Sequence, residues 1–265
     1  DNYSQPWFKH KIENASRYGK YGEIQPQAEF IAMMKISDAF DLVKLTKEFT
    51  EMVVEKIKAD PIFTEQDLAC FKTGEEFEVI DALVKNEHSE PLEHEGKLVG
   101  CVKRAHDVDL NLTSHVMFEN LVVKASGVLA ARHLTKNAGI SPAEIEYVIE
   151  CSEEACGDMN QRGGGNFAKA IAESCGYVNA TGADMRGFCA GPAHSVIAAA
   201  ALVKAGVYKN VVVVGGGATA KLGMNAKDHI KKEAPVLEDV LGGFAILVSE
   251  DDGVSPYLNT DLVGR

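Results

Sequence analysis

No apolar run in this 265-residue chain reaches the ~18 residues that a membrane span requires, and the mean hydropathy is -0.09. The longest apolar stretch, Val196 to Val203, is alanine-rich and closed by Lys204. The N-terminal residues DNYSQPWFKHK are polar and aromatic, without the pattern of a signal peptide. Positive charge is scarce. Lys+Arg number 27 against 39 Asp+Glu, for a net charge of -12 and a pI near 5.2. That excludes the basic footprint of nonspecific nucleic-acid binding but leaves room for a local patch against an anionic substrate. The six cysteines, at 70, 101, 151, 156, 175 and 189, form no paired framework of the secreted type, and several lie in apolar segments. Reduced thiols and a cytoplasmic location are expected.

Cofactor and metal motifs are missing too. Gln161-Arg-Gly-Gly-Gly-Asn166 precedes a helical pattern, but no Gly-Lys-Ser/Thr follows and the G-x-G-x-x-G spacing is absent. Its plainer reading is a helix-start loop. Cys151 and Cys156 have no second pair and no spaced histidine, which argues against a zinc site. No cofactor and no metal are expected. The chain begins at Asp1 without a methionine and ends at Arg265 just after an expected strand, the look of a piece of a longer protein.

Two regions differ in pattern. Residues 1–104 read as a mainly helical extension: an irregular segment over 1–28, one or two helices over 29–58, and a short helix after Pro61. The acidic run from Glu87 to Glu95 reads as a solvated loop, and Lys97 to Lys103 as a strand. From about residue 105 to 265 strands alternate with helices, which predicts an α/β layer on a parallel sheet. Strands are expected at Glu146–Cys151, Ala183–Phe188, Lys209–Gly217, Leu241–Val248 and Val254–Val263. Helices are expected from Ser114 to Lys136, from Asn166 to Cys175 and after Cys189. Thr113 or Ser114 can cap the first of these, and Gly139 lies just past its end.

The chemistry points to Ala183-Asp-Met-Arg-Gly-Phe-Cys-Ala-Gly-Pro-Ala-His194. Gly187 and Gly191 flank Cys189 and permit a tight turn. Pro192 suits the first turn of a helix, and the alanine-rich sequence after it predicts a buried one. A thiol at a helix N-terminus is shifted toward thiolate. Nucleophile and inert core cysteine both remain open on this stretch alone. Gly215-Gly-Gly217 ends an apolar strand, where glycines admit another backbone or a ligand to the carboxyl end of a sheet. His194 is five residues from Cys189, a helical spacing that does not set it beside the thiol. It reads as a packing or edge residue, and His106, His115, His133 and His229 have no local geometry that singles them out.

Taken in order, Glu144–Cys151, Ala183–Gly206, Asn210–Gly217 and Leu241–Ser249 resemble the first half of the thiolase superfamily, and most of all the ketoacyl-synthase III enzymes. In that family a strand leads into the acyl-accepting cysteine at the start of a buried alanine-rich helix. A strand like Tyr208-Lys-Asn-Val-Val-Val-Val-Gly215 follows, and then a glycine-rich one like Leu241-Gly-Gly-Phe-Ala-Ile-Leu-Val248. Ala15–Glu23, Phe40–Leu45, Glu153–Asp158 and Arg162–Ala168 further resemble the component C beta-subunit family of glycine (sarcosine, betaine) reductase complexes, itself related to ketoacyl-synthase III.

The resemblance implies a thiolase-like α/β fold, here the first half-repeat of a layered α/β/α/β/α architecture with a mainly parallel sheet. It implies Cys189 as the acyl acceptor, with Gly215, Gly216, Gly217, Gly242 and Gly243 lining the substrate. The Cys189 N–H and the turn at Gly243 would supply oxyanion donors, worth on the order of 3 kcal/mol each if aligned. Such complexes take a carboxymethyl group from a selenocysteine-bearing partner, form an acetyl thioester on component C and release acetyl phosphate. They occur in anaerobic, amino-acid-fermenting bacteria. Implied partners are the component C alpha subunit, the selenoprotein and a second copy of the chain in a thiolase-type homodimer, with no nucleic acid and no membrane. Ketoacyl synthases complete their site with a histidine and an asparagine or second histidine from the second half-repeat. This chain stops before that half, so a half-site is expected. Two alternatives stand beside this reading: a ketoacyl-synthase III-like condensing enzyme, and a noncatalytic assembly subunit.

Overall fold

The protein is described by a computed structural model covering residues 16–20, 22–152, 166–187, 190–217 and 242–263. It contains two sheets. The first half supplies helix α1 (Gln27–Ser37), strand β1 (Val43–Leu45), helices α2 (Lys47–Lys58), α3 (Glu65–Leu68) and α4 (Phe77–Glu87), and strands β2 (Glu90–His94) and β3 (Lys97–Val102). The second half supplies α5 (Ser114–Ala138), β4 (Tyr147–Glu150), α6 (Phe167–Ser174), β5 (Thr181–Asp184), α7 (Gly191–Lys204), β6 (Val211–Gly215) and β7 (Phe244–Val248).

Local chemistry sets most of the boundaries. Thr46 caps α2 by accepting the Phe49 N–H, and α2 buries Phe49, Val53 and Ile57 at four-residue spacing. Thr64 and Asp67 form a reciprocal capping box on α3. Thr113 caps α5, and Gly139 ends it in the left-handed region at φ 65°. Asn166 caps α6 by accepting the Lys169 N–H at 2.7 Å.

The N-terminal region is more than helical. β1, β3 and β2 form an antiparallel sheet in that order. Two of its strands escaped the sequence reading. β1 interrupts the stretch read as helix, because Asp38 accepts the Phe40 and Val43 N–H groups and Asp41 turns at φ 55°. β2 takes the place of the loop expected over Glu87–Glu95. Its charges point outward while Leu92 alone is buried against the core, so one apolar residue in an acidic run decides the strand.

The second sheet has the order β5-β4-β6-β7. β4 runs parallel to both β5 and β6, and β7 closes the sheet antiparallel to β6. It is therefore mixed, with three parallel strands and one antiparallel edge strand, and the architecture is α/β as expected. Val148, Val212 and Val214 pack on the side of α5 and α6; Ile149, Val211, Val213 and Val248 pack on the side of α7. This is the two-residue alternation of a strand covered on both faces.

Three further expectations are corrected. β5 starts at Thr181 and ends at Asp184, because the Asp184 carboxylate turns to the α6 N-terminus and the chain leaves the sheet there. Residues 254–263 form no strand; Asp252 ties Val254 and Ser255 into a turn, and Val254, Tyr257 and Leu262 stay exposed. Helix α7, expected to be buried, buries only Gly191, Ser195, Ala199 and Ala200, and Ile197 is 44% exposed. The sheet covers one side of α7, and no described element covers the other. No helix among the described residues is long and apolar enough to cross a membrane.

One buried ion pair joins the two halves. Arg132 of α5 forks onto both Asp67 oxygens at 2.6 and 2.9 Å, and also donates to the Ile62 and Ser174 carbonyls. Burial pushes the Asp67 carboxyl up, but Arg132 and the Thr64 N–H outweigh it and hold the group below the usual carboxylate range. Lys124, also on α5, is buried with its ammonium on the Ser37 carbonyl at 2.7 Å, at the C-terminal end of α1. Desolvation pulls it down to about 8, against the pull of Asp38 and Glu173.

Arg132→Met strands the buried Asp67 charge and is expected to destabilise the protein by about 3–5 kcal/mol, read by denaturant unfolding at neutral pH. The loss shrinks in acid, because a depressed carboxyl contributes above its unfolded value and ceases to as pH falls through its folded one. Lys124 gives a slope of the same sign in an alkaline window. With its folded value near 8, the unfolded chain binds the extra proton between pH 8 and about 10. Stability should rise by about 1.4 kcal/mol per pH unit there, relative to Lys124→Met.

Candidate active site

The carboxyl ends of β4, β5 and β6 lie side by side, and the segment carrying Cys189 leaves from this edge. The Ala190 N–H donates to the Gly187 carbonyl at 3.0 Å, closing a four-residue turn. Phe188 and Cys189 lie outside the described residues, so the turn is known by its two ends. It is a close one. A Cβ added at Gly187 would stand 3.2 Å from the Gly191 nitrogen and 3.4 Å from the His194 ring. His194 is an exposed edge residue lying over Gly187. Gly191 rests on Cys151, with an added Cβ 3.4 Å from its carbonyl oxygen. Pro192 stands in the first turn of α7, and no side chain caps that helix, so the positive end of its dipole is not neutralised by a capping group.

Beside the turn lies a charged group that the sequence reading did not single out. Glu150, the last residue of β4, is fully buried. Its carboxylate accepts the Ser152 N–H at 2.7 Å and pairs with Arg186 at 2.6 Å. Arg186 also approaches Asp184 at 3.3 Å, while Asp184 accepts the Phe167 and Ala168 N–H groups at the start of α6. The Met185 N–H donates to the Glu150 carbonyl at 2.7 Å. The signal was present in Tyr147-Val-Ile-Glu150, a charge ending an apolar strand.

The five glycines gather at the same end, on the β6–β7 side. A side chain at Gly216 would overlap the Val123 carbonyl, and one at Gly243 the Ser126 carbonyl, both on α5. At Gly215 an added Cβ would stand 2.5 Å from the Phe244 ring, and at Gly217 2.7 Å from the Gly242 carbonyl. The close approach is to the protein's own backbone and ring. Two hydroxyls complete this end: Ser152 accepts the Gly216 N–H at 2.6 Å, and Ser126 accepts the Gly217 N–H at 3.1 Å. Ser152 thereby links the ends of β4 and β6.

The described free cysteines are Cys70, which is exposed, and the buried Cys101, Cys151 and Cys175. Burial pushes up the thiols of Cys70 and Cys151, raises Cys101 to about 11 and raises Cys175 to about 12. Cys151 also donates to the Val214 carbonyl at 3.4 Å. Cys156 lies outside the described residues, as does the glycine run Gly163–Gly165. Glu23, Glu29 and Asp60 form a carboxylate cluster far in sequence from this edge, and the Arg17 guanidinium binds all three.

Residues 183–263 match the 3-oxoacyl-[acyl-carrier-protein] synthase III family. Over 265 residues the chain is 63% identical to the glycine/sarcosine/betaine reductase complex component C subunit beta of Peptoclostridium acidaminophilum, covering 99% of this chain and 51% of that one. Over 95 residues it is 36% identical to a beta-ketoacyl-[acyl-carrier-protein] synthase III of Listeria monocytogenes, covering 35% of this chain and 28% of that one. A solved 3-oxoacyl-[acyl-carrier-protein] synthase III from Aquifex aeolicus VF5 overlaps 79% of this chain and 52% of its own at 15% identity, with a TM-score of 0.37. The chain spans about half the length of the first of these relatives.

Because α5 fills the space beside Gly216 and Gly243, Gly216→Ala and Gly243→Ala should each destabilise by about 2 kcal/mol or more. Thermal unfolding checks this, with Gly206→Ala on the open end of α7 as a milder comparison.

Proposed function

We propose that the chain belongs to the thiolase-like family of the component C beta subunit and works within a glycine/sarcosine/betaine reductase complex by carrying an acetyl group on Cys189. The observation that carries the reading is the Gly187–Ala190 backbone hydrogen bond, which closes the β5–α7 turn around the two sequence positions that include Cys189, next to a helix N-terminus without a side-chain cap, while burial raises the described thiols Cys70, Cys101, Cys151 and Cys175 above the ordinary thiol value.

In this reading the Cys189 thiolate holds the acetyl group as a thioester. Inorganic phosphate attacks the carbonyl carbon, the C–S bond breaks, and acetyl phosphate leaves as the thiolate is regenerated. The Cys189 N–H stabilises the oxyanion that forms in between. Gly217 and Gly242 meet at the sheet's edge with no side chain between them and form the wall along which the acyl group lies. The alpha subunit assists phosphorolysis, the selenoprotein delivers the carboxymethyl group, and two copies pair as thiolase relatives do, in the cytoplasm. Residues 1–104 serve assembly, and residues 105–265 form the acyl-handling half-domain.

The match over residues 183–263 favours one alternative, a condensing enzyme acting on acyl groups of coenzyme A or acyl carrier protein. A noncatalytic assembly subunit is the third reading. With the assembled complex and labelled substrate, Cys189→Ala is expected to abolish acetyl labelling of this chain; unchanged labelling or turnover overturns the assignment. Acetyl phosphate as product supports the reductase reading, whereas a ketoacyl product replaces it with the condensing enzyme.

A further inference from the structure

Two large apolar side chains stand almost wholly in solvent on one short loop after β3. The Ala105 N–H closes residues 105–112 by donating to the Leu112 carbonyl at 3.0 Å. Inside the loop His106 Nδ1 accepts the Asp109 N–H at 3.1 Å, the Asp109 carboxylate accepts the Asn111 N–H at 2.9 Å, and Leu112 is buried as an anchor. The loop thus holds its own shape, while Val108 and Leu110 are 81% and 83% exposed. Apolar residues scattered singly over a surface need no explanation. Two on a preformed turn make a contact feature with little ordering left to lose on binding. Lys103 and Arg104 stand at the base of the loop, and Asp107 and Asp109 lie beside the two apolar residues.

The first half of the chain also holds a groove of matching character. It encloses about 470 Å³ between α2, the start of α4 and the β2–β3 turn, with apolar walls from Phe49, Met52, Phe77 and Leu98. Lys56 and Lys97 line it and make no ion pair among the described residues, whereas Lys47 is held by Glu76. Glu48, Glu75 and Glu95 supply the opposite sign. Such a groove suits aliphatic side chains flanked by carboxylates for the two lysines and by basic groups for the glutamates. The loop carries that set.

The two features sit at opposite ends of one strand. Lys97 opens β3 beside the groove, and the loop leaves after Val102, about 17 Å away at about 3.4 Å per residue. They do not meet within a chain. A twofold axis across the strand exchanges its ends and brings loop to groove twice, an isologous contact. Strand-to-strand pairing at the β2 edge is not the route, because Pro91 has no N–H to give and the Glu93 carbonyl already accepts from Gln27. We propose that each copy seats Val108 and Leu110 of its loop in the groove of a second copy. This contact is a pairing beside the thiolase-type one; it rests on the assembly role of residues 1–104 and on no chemistry at Cys189.

The test uses the full-length subunit with p-benzoylphenylalanine in place of Leu110, in an equal mixture of isotope-labelled and unlabelled chains. After photolysis, mass spectrometry is expected to find adducts between labelled and unlabelled peptides at residues 47–56 or 94–99. The same probe in place of the exposed Val178 gives none there. Lys56→Glu with Lys97→Glu lowers the yield from position 110 about fivefold, and Asp107→Lys in the probe-bearing chain restores most of it. The sedimentation mass of Leu110→Asp falls to about half that of the unmodified subunit, with or without the thiolase-type pairing. Adducts confined to one chain, to another kind of subunit or to another surface, no adduct at all, or an unchanged mass in Leu110→Asp overturn the proposal. Every substituted residue is exposed, so a negative result does not trace to loss of the fold. Acetyl labelling is read separately, so the Cys189 assignment and this contact fail independently.

Discussion

The fold depends on how closely helix α5 can approach the sheet. The Val123 and Ser126 carbonyls occupy the space that side chains at Gly216 and Gly243 would need. Helix and strand ends therefore meet backbone to backbone, and Ser126 binds the Gly217 N–H across the seam. No larger residue substitutes there without moving a 25-residue helix that is buried over most of its length. The same seam brings the end of β6 level with the end of β4, where Ser152 bonds Gly216. The position of the candidate site follows from that alignment.

Among the described residues, buried charges tie together separate elements of the fold. Arg132 joins α5 to the Asp67 cap and to the end of α6. Arg17 gathers Glu23, Glu29 and Asp60, which pins the first described residues to α1 and to the end of α2. Lys124 reaches the last carbonyl of α1. Each of these charges is hydrogen-bonded, Arg132 and Arg17 to carboxylates and Lys124 to a carbonyl, the condition under which a buried charge is tolerated. The net charge of -12 is thus a property of the solvated surface and says little about these contacts.

Much of the second half could be read from the sequence because local and long-range signals agree there. Thr113 and Gly139 bracket α5, the Val211–Val214 run can only be a buried strand, and Asn166 announces α6. Reading failed where a single contact overrides the local pattern. Leu92 makes a strand of an acidic run, Asp38 breaks a helix to admit β1, and Asp184 takes the chain out of the sheet early. The end of β6 drew attention for its glycines, but whether a ligand or a helix would fill the space beside them is a tertiary fact. Glu150 and Arg186 are 36 residues apart in sequence, and nothing local pairs them. The exposed face of α7 was equally illegible, since alanine-rich helices look the same whether or not a second layer covers them.

The seam between α5 and the two glycine-bearing strands also bears on motion. Local opening in a protein proceeds through units whose parts can separate without disturbing their neighbours. Here the ends of β6 and β7 cannot loosen independently of α5, because the three share their backbone contact. Amide protons of Val211 to Gly215, Phe244 to Val248 and the middle of α5 should therefore exchange with solvent as one cooperative block. Helix α7, tied to the sheet on one side and covered on the other by no described element, belongs to a looser class of fluctuation.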